Sequence, residues 1–506
     1  MAIYFDDTKR LIIPRWRKYT MAQSAGEFGN LQVNEPVEAS SNVDFTIKKK
    51  IYDWKHIPTI GHAWELVNSA YLNHEHEIAK EAARYLQAHL KHIAPQLKKV
   101  VYEVLGESDE PQFPSIRDIP FESLYNEVQM EMRNVKNRLK YYLRNDLLWL
   151  ELGRLYSILG DLTKAEQAVN ISIYFSNKRS RYFLRTASRF FYHVGKYDAA
   201  QSVIRLSPAL KSDPLLVSAD ISYSNKMGRN PVNLKPALAM IESKNYSNAA
   251  ISELAGVLAT MEFHSKEFKK ARKFTRQSLL APNDNSLAQA EWLSQSVGDI
   301  SVAPWIDKVT LGFEARSFEY LHAKDYNKSL AEAKNWLLDQ PFSKRASHFV
   351  SFLCTGLMSK YDLAIEVGEL GKRSNPNYFP ILNNLAFAYI SKGDFVNGEK
   401  MLEELVRRAN SNEEKIFAMA TTGFYYFRTN DITTGKEFYQ RAIEWSQRAN
   451  LPNVKELAEA NYLREIALAG QLPTHVAISA IENLKRVDEE QRKHLVDTLK
   501  SAARHR

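Results

Sequence analysis

The chain has 506 residues, 44% hydrophobic and 25% charged, a balance that fits a folded, water-soluble protein and excludes a disordered one. Its 19 glycines and 18 prolines are too few for a turn-rich all-β fold. Lys and Arg (68) exceed Asp and Glu (59) to leave +9, a mild bias that permits contact with nucleic acid or an anionic surface without requiring it.

Within residues 1–50, Ile3–Tyr4–Phe5 and Leu11–Ile12–Ile13 flank the polar stretch Asp6–Asp7–Thr8–Lys9, which predicts a short β-hairpin followed by an extended, turn-rich arm over residues 20–45. An isolated hairpin is marginal in water, so it must dock on the helices or on a partner. The run Arg15–Trp16–Arg17–Lys18–Tyr19, with Lys48–Lys49–Lys50 beyond it, interleaves cations with aromatics. That pattern suits stacking on bases, packing on a partner protein, or an arm pinned against acidic helices of its own chain.

Residues 51–145 read as an N-terminal helical region, with Pro111, Pro114 and Pro120 marking a linker over 106–120. Six of the thirteen histidines fall here: His56, His62, His74, His76, His89 and His92. His89 and His92 share one helix face, with His74 or Glu75 as further ligands if a metal were held. A polar helix surface explains the same residues, and no metal or cofactor is assigned.

Beyond residue 146 the sequence is periodic. Trp149, Leu152, Gly153 and Tyr156 are followed by a Gly160–Asp161 turn and by Ala165. The outline returns as Leu382, Leu385, Ala386, Tyr389, Gly393–Asp394–Phe395 and Gly398, and again as Met419, Gly423, Tyr426, Asn430–Asp431, Gly435 and Ala442. Gly160 and Gly195 stand 35 apart, Lys324 and Ser359 35, Ser359 and Gly393 34, and Gly393 and Asn430 37. Weaker turns fall at Gly228, near Lys266 and at Gly298–Asp299, although 298 to 324 is only 26.

The spacing W-x2-L-G-x2-Y and the period of about 34 residues resemble the tetratricopeptide-repeat (TPR) family over roughly residues 146–450. The resemblance implies an all-α, TPR-like α-solenoid, a right-handed superhelix of about eight or nine helix pairs, with degenerate central units. Gly153, Ala386 and Gly423 then sit where paired helices cross at close range, and residues 451–506 close the array with helices and a basic tail.

First helices line the concave groove in this family, which places Arg185 and Arg189 where ligands are gripped. With Arg181 they form a stripe at four-residue spacing, and arginine forks suit carboxylate or phosphate. Toward the other end, Asn383, Asn384, Phe387 and Ile390 on one first helix, and Phe424 and Phe427 on the next, offer amides for a peptide backbone and aromatic pockets. Lys266, Lys269, Lys270, Arg272, Lys273 and Arg276 belong to an outward-facing helix and read as a solvated face.

Catalytic signatures are missing: Gly435–Lys436 resembles the end of a phosphate loop, but Glu437 stands where Ser or Thr would bind magnesium. The single cysteine, Cys354, excludes an internal disulfide and sits in the apolar run Phe352–Leu353–Cys354, as a buried thiol would. No apolar run of signal-peptide length and no stretch of about 18 apolar residues occurs, so the expected compartment is the cytoplasm, with no membrane span. The expected function is a non-catalytic scaffold or adaptor, a subunit of a multi-protein complex that holds a protein partner in its concave groove. The alternative is a nucleic-acid-binding regulatory or defence-type subunit that uses the arginine stripe and the N-terminal arm.

Overall fold

The computed structural model describes residues 10–18, 50–72, 76–89, 98, 101, 102, 104, 105, 121–178, 180–243 and 245–504. All regular structure among them is helical. Helices Ile60–Leu72 and His76–Ala88 pair and share a small core with Trp54, Leu66, Leu86 and Val101. Helix Phe121–Leu139 leads into the array.

Among the described residues, nine antiparallel pairs then follow in order. Units one to three are Asp146–Leu159 with Leu162–Phe175, Arg181–His193 with Tyr197–Arg205, and Pro214–Lys226 with Leu234–Glu242. Unit four pairs Asn248–His264 with Phe268–Ser278, and unit five pairs Asp284–Val297 with a single turn, Ala303–Ile306. That shortened second helix is why the turns at 298 and 324 fall so close together. Units six and seven are Phe313–His322 with Tyr326–Asp339, and Lys344–Phe352, extended by a π-helical turn Leu353–Leu357, with Tyr361–Ser374. Units eight and nine are Phe379–Lys392 with Phe395–Arg408 and Asn412–Arg428 with Ile432–Arg448, after which Pro452–Leu468, Thr474–Glu482 and Glu489–Arg504 close the chain.

Local chemistry sets these boundaries. The turn positions that define the period adopt left-handed backbone: Gly160 (φ 81°), Gly393 (φ 86°) and, without glycine, Lys266, Lys324, Ser359 and Asn430. Just after the turn an aspartate caps the next helix, Asp161 accepting from Lys164 N, Asp325 from Lys328 N and Asp431 from Thr434 N. The pairs cross where small residues recur. A Cβ on Gly153 would lie 2.7 Å from Val169 Cγ2, and one on Gly423 2.8 Å from Tyr439 Cδ2 and 3.1 Å from the Gly435 carbonyl.

Stacking brings distant units together. A Cβ on Gly160 would run into the Arg373 carbonyl, the Arg373 guanidinium lies 4.8 Å from the Tyr125 ring, and Phe342 joins the core of units one and two. Unit seven therefore touches unit one and the helix before it. Lys324 also pairs with Glu490 at 2.7 Å, so the last helix returns to unit six.

The N-terminus departs from expectation. Leu11–Ile12–Ile13 form no strand, and the first arm of the expected hairpin lies outside the described residues, as does the 20–45 arm. Residues 10–18 instead run as an extended strap inside the curve of the solenoid. Arg10, Ile12, Pro14 and Trp16 are buried while Leu11, Ile13, Arg15 and Arg17 are half-buried, the two-residue alternation of extended backbone. The sequence signal for a strand was real, but units two and five to seven supply the partners that a second strand would have given.

Candidate functional site

Three side chains of the solenoid capture the strap by its backbone. Gln289 Nε2 donates to the Arg10 carbonyl at 3.1 Å, Asn285 Nδ2 to that of Ile13 at 3.0 Å and the Tyr182 hydroxyl to that of Arg17 at 3.1 Å. Two apolar anchors fix the register. Ile12 enters the core of units three and four, where a Cβ on Gly256 would sit 2.6 Å from its Cδ1. Trp16 is 1% exposed, edge-on to Phe190 and Phe342 with centroids 6.1 and 5.5 Å away.

Charge completes the fit. Arg10 pairs with Glu314 and, at 3.7 Å, with Glu291; Arg15 reaches Asp284 at 3.1 Å and Glu314 at 2.7 Å; Arg17 grips Asp339 through two nitrogens at 2.7 and 2.8 Å and Asp284 at 2.5 Å. Burial opposes ionisation of Glu314, yet Arg345, Arg10 and Arg15 outweigh it and hold its carboxyl down at about 2. Asp284 is lowered in the same way, against burial, by Arg17 and Arg15. A buried network of this kind adds little net stability, but removing one partner costs about 3–5 kcal/mol, so it dictates position more than it stabilises. Of the three readings open for Arg15–Trp16–Arg17, the arm pinned against its own acidic helices is the one seen.

The residues singled out by sequence occupy related but different places. Arg181 and Arg185 do point inward from unit two, where both are consumed internally: Arg181 Nε is 2.5 Å from Asp213, and Arg185 Nη2 lies 3.0 and 2.8 Å from the two oxygens of Glu253. Arg189 lies over Phe342 and Tyr192, 5.2 and 5.6 Å from their ring centres. Asn383 and Asn384 are fully buried, with Thr421 donating to Asn383 at 2.8 Å. Phe387 and Phe424 stack at 4.7 Å beneath Arg464, Phe427 packs on Tyr439, and Ile390 fills the space over Gly398. Each of these six is core, so the amides and rings expected to meet a peptide meet the chain itself.

Sequence reading missed the acceptors: Asp284, Asn285, Gln289 and Glu291 of unit five, Glu314 and Asp339 of unit six. Their signal was polar residues at the inward positions of first helices, in a region where the repeat outline had faded. His89 Nδ1 bonds the Tyr85 carbonyl at 2.8 Å, while His74 and His92 lie outside the described residues. Among the described residues no group of three or more His, Cys, Asp or Glu could hold a metal ion. Cys354 is buried, and burial pushes its thiol up to about 12, which makes it inert. No described helix is long and apolar enough to cross a membrane.

No protein-family model matches the chain, and no curated protein does. Solved structures are similar to it at low identity. The Cut9–Hcn1 hetero-tetramer of the APC/C has 10% identity and a TM-score of 0.36, covering 90% of this chain and 93% of that one. The human IFIT1 dimer with PPP-AAAA has 13% identity and a TM-score of 0.29, covering 96% and 99%. A tetratricopeptide-repeat protein from Parabacteroides merdae has 12% identity and a TM-score of 0.29, covering 63% and 97%. The assignment of the fold rests on this chain's own geometry rather than on those overlaps. Paired helices, left-handed turns at the repeat period and small residues at the crossings make it a TPR-like α-solenoid.

Proposed function

We propose that the chain is a protein-binding scaffold, a subunit of a larger assembly, whose interior recognises extended, arginine-rich polypeptide and in which residues 10–18 are the resident occupant. The observation that carries this reading is the capture of three strap carbonyls by Gln289, Asn285 and Tyr182, from units five and two. Side-chain donors to backbone acceptors hold any extended chain, while the Trp16 and Ile12 pockets and the carboxylates select the sequence. A partner segment of the same chemistry competes for the same interior, so the strap acts as a gate.

Nucleic acid as partner loses support, because Arg181 and Arg185 already meet Asp213 and Glu253. Catalysis has no assigned residues in this reading.

The test is a chain lacking residues 1–18, titrated with a peptide of residues 10–18. The peptide should bind saturably to the truncated chain, weakly or not at all to the full chain, and at least ten-fold more weakly with Trp16→Ala. A truncated chain that keeps its helical circular dichroism yet ignores the peptide would show that the strap is only core.

A further inference from the structure

Beside the strap lies a cavity of about 100 Å³, between unit two and units five to seven. Five cations line it, Arg10, Arg15, Arg189, Lys344 and Arg345, against a single carboxylate, Glu314. Glu314 is already committed to three of them, bonding Arg10, Arg15 at 2.7 Å and Arg345 at 2.7 Å.

Arg189 is left over. It makes no ion pair or hydrogen bond among the described residues; its guanidinium rests on the Phe342 and Tyr192 rings. Rings satisfy its charge in part and none of its five N–H donors. Burial pulls this guanidinium below its usual range, and Arg15 and Arg345 add to the pull. A second, independent observation points the same way: the Arg15 side chain is 6% exposed, and its Nη1 is buried without a hydrogen-bond partner. The Nε2 of His193, another lining residue, is also buried and unbonded, and burial, then Arg189 and Lys344, hold that imidazole neutral, at about 3.

Excess positive charge in a partly desolvated cavity, with orphaned donors from both sides, is an arrangement short of an anion. The volume would take several waters, hence an ion of four or five heavy atoms, and guanidinium forks match the oxygens of a tetrahedral oxyanion. We infer that this cavity binds a phosphate-class oxyanion, held between Arg15 of the strap and Arg189, Lys344 and Arg345 of the solenoid. The bound ion bridges strap to solenoid, so its binding tightens the gate. This goes beyond the peptide-binding reading and does not depend on it, since the strap is in place in the structure whether or not another peptide can replace it.

The experiment is thermal unfolding and calorimetry of the full chain, replacing chloride by inorganic phosphate at constant ionic strength. A parallel arm uses a nucleoside monophosphate. The expected result is a saturable rise in Tm with phosphate, one site per chain, weakened at least ten-fold in Arg189→Gln and also reduced in Lys344→Gln, whose half-buried rim position spares the fold. An equal response to the monophosphate assigns the site to the terminal phosphate of a larger molecule; a response to phosphate alone assigns it to the free ion. No rise beyond the chloride control overturns the proposal, and so does an unchanged phosphate response in the two variants. Should Arg189→Gln fail to fold, Lys344→Gln and the wild-type stoichiometry decide.

Discussion

Arg185 of unit two and Glu253 of unit four form a buried ion pair that skips unit three, with Nη2 2.8 Å from the nearer carboxylate oxygen. Both side chains are about 5% exposed or less. Arg185 also reaches the Leu215 carbonyl of the intervening unit at 3.4 Å, and Asn283 donates to Glu253 at 2.8 Å. A stripe that looked like ligand-binding charge is thus a clamp across three successive repeats.

Arg185→Ala strands the Glu253 carboxylate in the interior, so unfolding free energy should fall by roughly 3–5 kcal/mol. Pairing it with Glu253→Ala should recover part of that stability, because the stranded charge is gone. Denaturant titration of the two singles and the double closes the cycle. A single Arg185 variant within about 0.5 kcal/mol of wild type would place the pair at the surface instead.

Gly423 offers a test with an unusual sign. Glycine to alanine within an exposed helix normally stabilises by about 0.5–1 kcal/mol. Here the added Cβ lies 2.8 Å from the Tyr439 ring and 3.1 Å from the Gly435 carbonyl, the latter being backbone that cannot swing aside. Gly423→Ala should therefore destabilise, by about 1–3 kcal/mol. A raised Tm would mean that the two helices of unit nine stand further apart.

How much of this was legible follows from what each signal depends on. Turn positions and crossing residues are set locally, by φ at Gly160, Gly393 and Asn430 and by the space at Gly153 and Gly423, and the sequence announces them. Partnership is not local. Arg17 and Asp339 are 322 residues apart, and nothing in either neighbourhood names the other. The arginine spacing at 181, 185 and 189 correctly gave one inward face. Whether that face meets solvent or carboxylates depended on Asp213 and Glu253, in the stretch where the repeats are most degenerate. Asn383 and Phe387 were misplaced for a related reason: in a tightly curved solenoid the inward side of one unit is covered by the next, here through Thr421, Phe424 and Arg464.

Acid should loosen the strap within a defined window. Glu314 is lowered from an ordinary 4.5 to about 2 in the folded chain, so its share of stability is complete above 4.5 and lost as pH falls from there through 2. A shift of that size corresponds to about 3 kcal/mol as an upper bound. Asp284 is lowered as well and reinforces the trend, whereas burial raises Glu291 and puts its titration at higher pH with the opposite sign. Trp16 fluorescence and Tm, followed from pH 5 to pH 2, should fall together, and Glu314→Gln should lower Tm at pH 6 while flattening its pH dependence. An unchanged acid limb in that variant would remove Glu314 from the strap's electrostatics.

The last prediction separates protein from nucleic acid as the partner. Phosphate backbones are bound by cations that can shed solvent without breaking another pair, and each such cation steepens the salt dependence. Arg181 and Arg185 do not qualify, since neutralising them strands Asp213 and Glu253 and confounds binding with unfolding. The outward helix of unit four does qualify: Lys266, Lys269 and Lys273 are exposed, and Lys270 has only distant carboxylates at 3.8 Å. If the chain binds nucleic acid, changing Lys266, Lys269 and Lys273 to Gln should leave stability within about 1 kcal/mol of wild type, weaken binding for all sequences alike and reduce the salt slope by roughly one unit for each phosphate that a removed lysine had neutralised. Titration with single-stranded and duplex oligonucleotides at low and high salt reads this directly. No binding by wild type at low salt removes nucleic acid as a partner. Binding with the slope intact in the triple variant moves the interface away from this ridge, to a surface that the buried arginines of unit two do not supply.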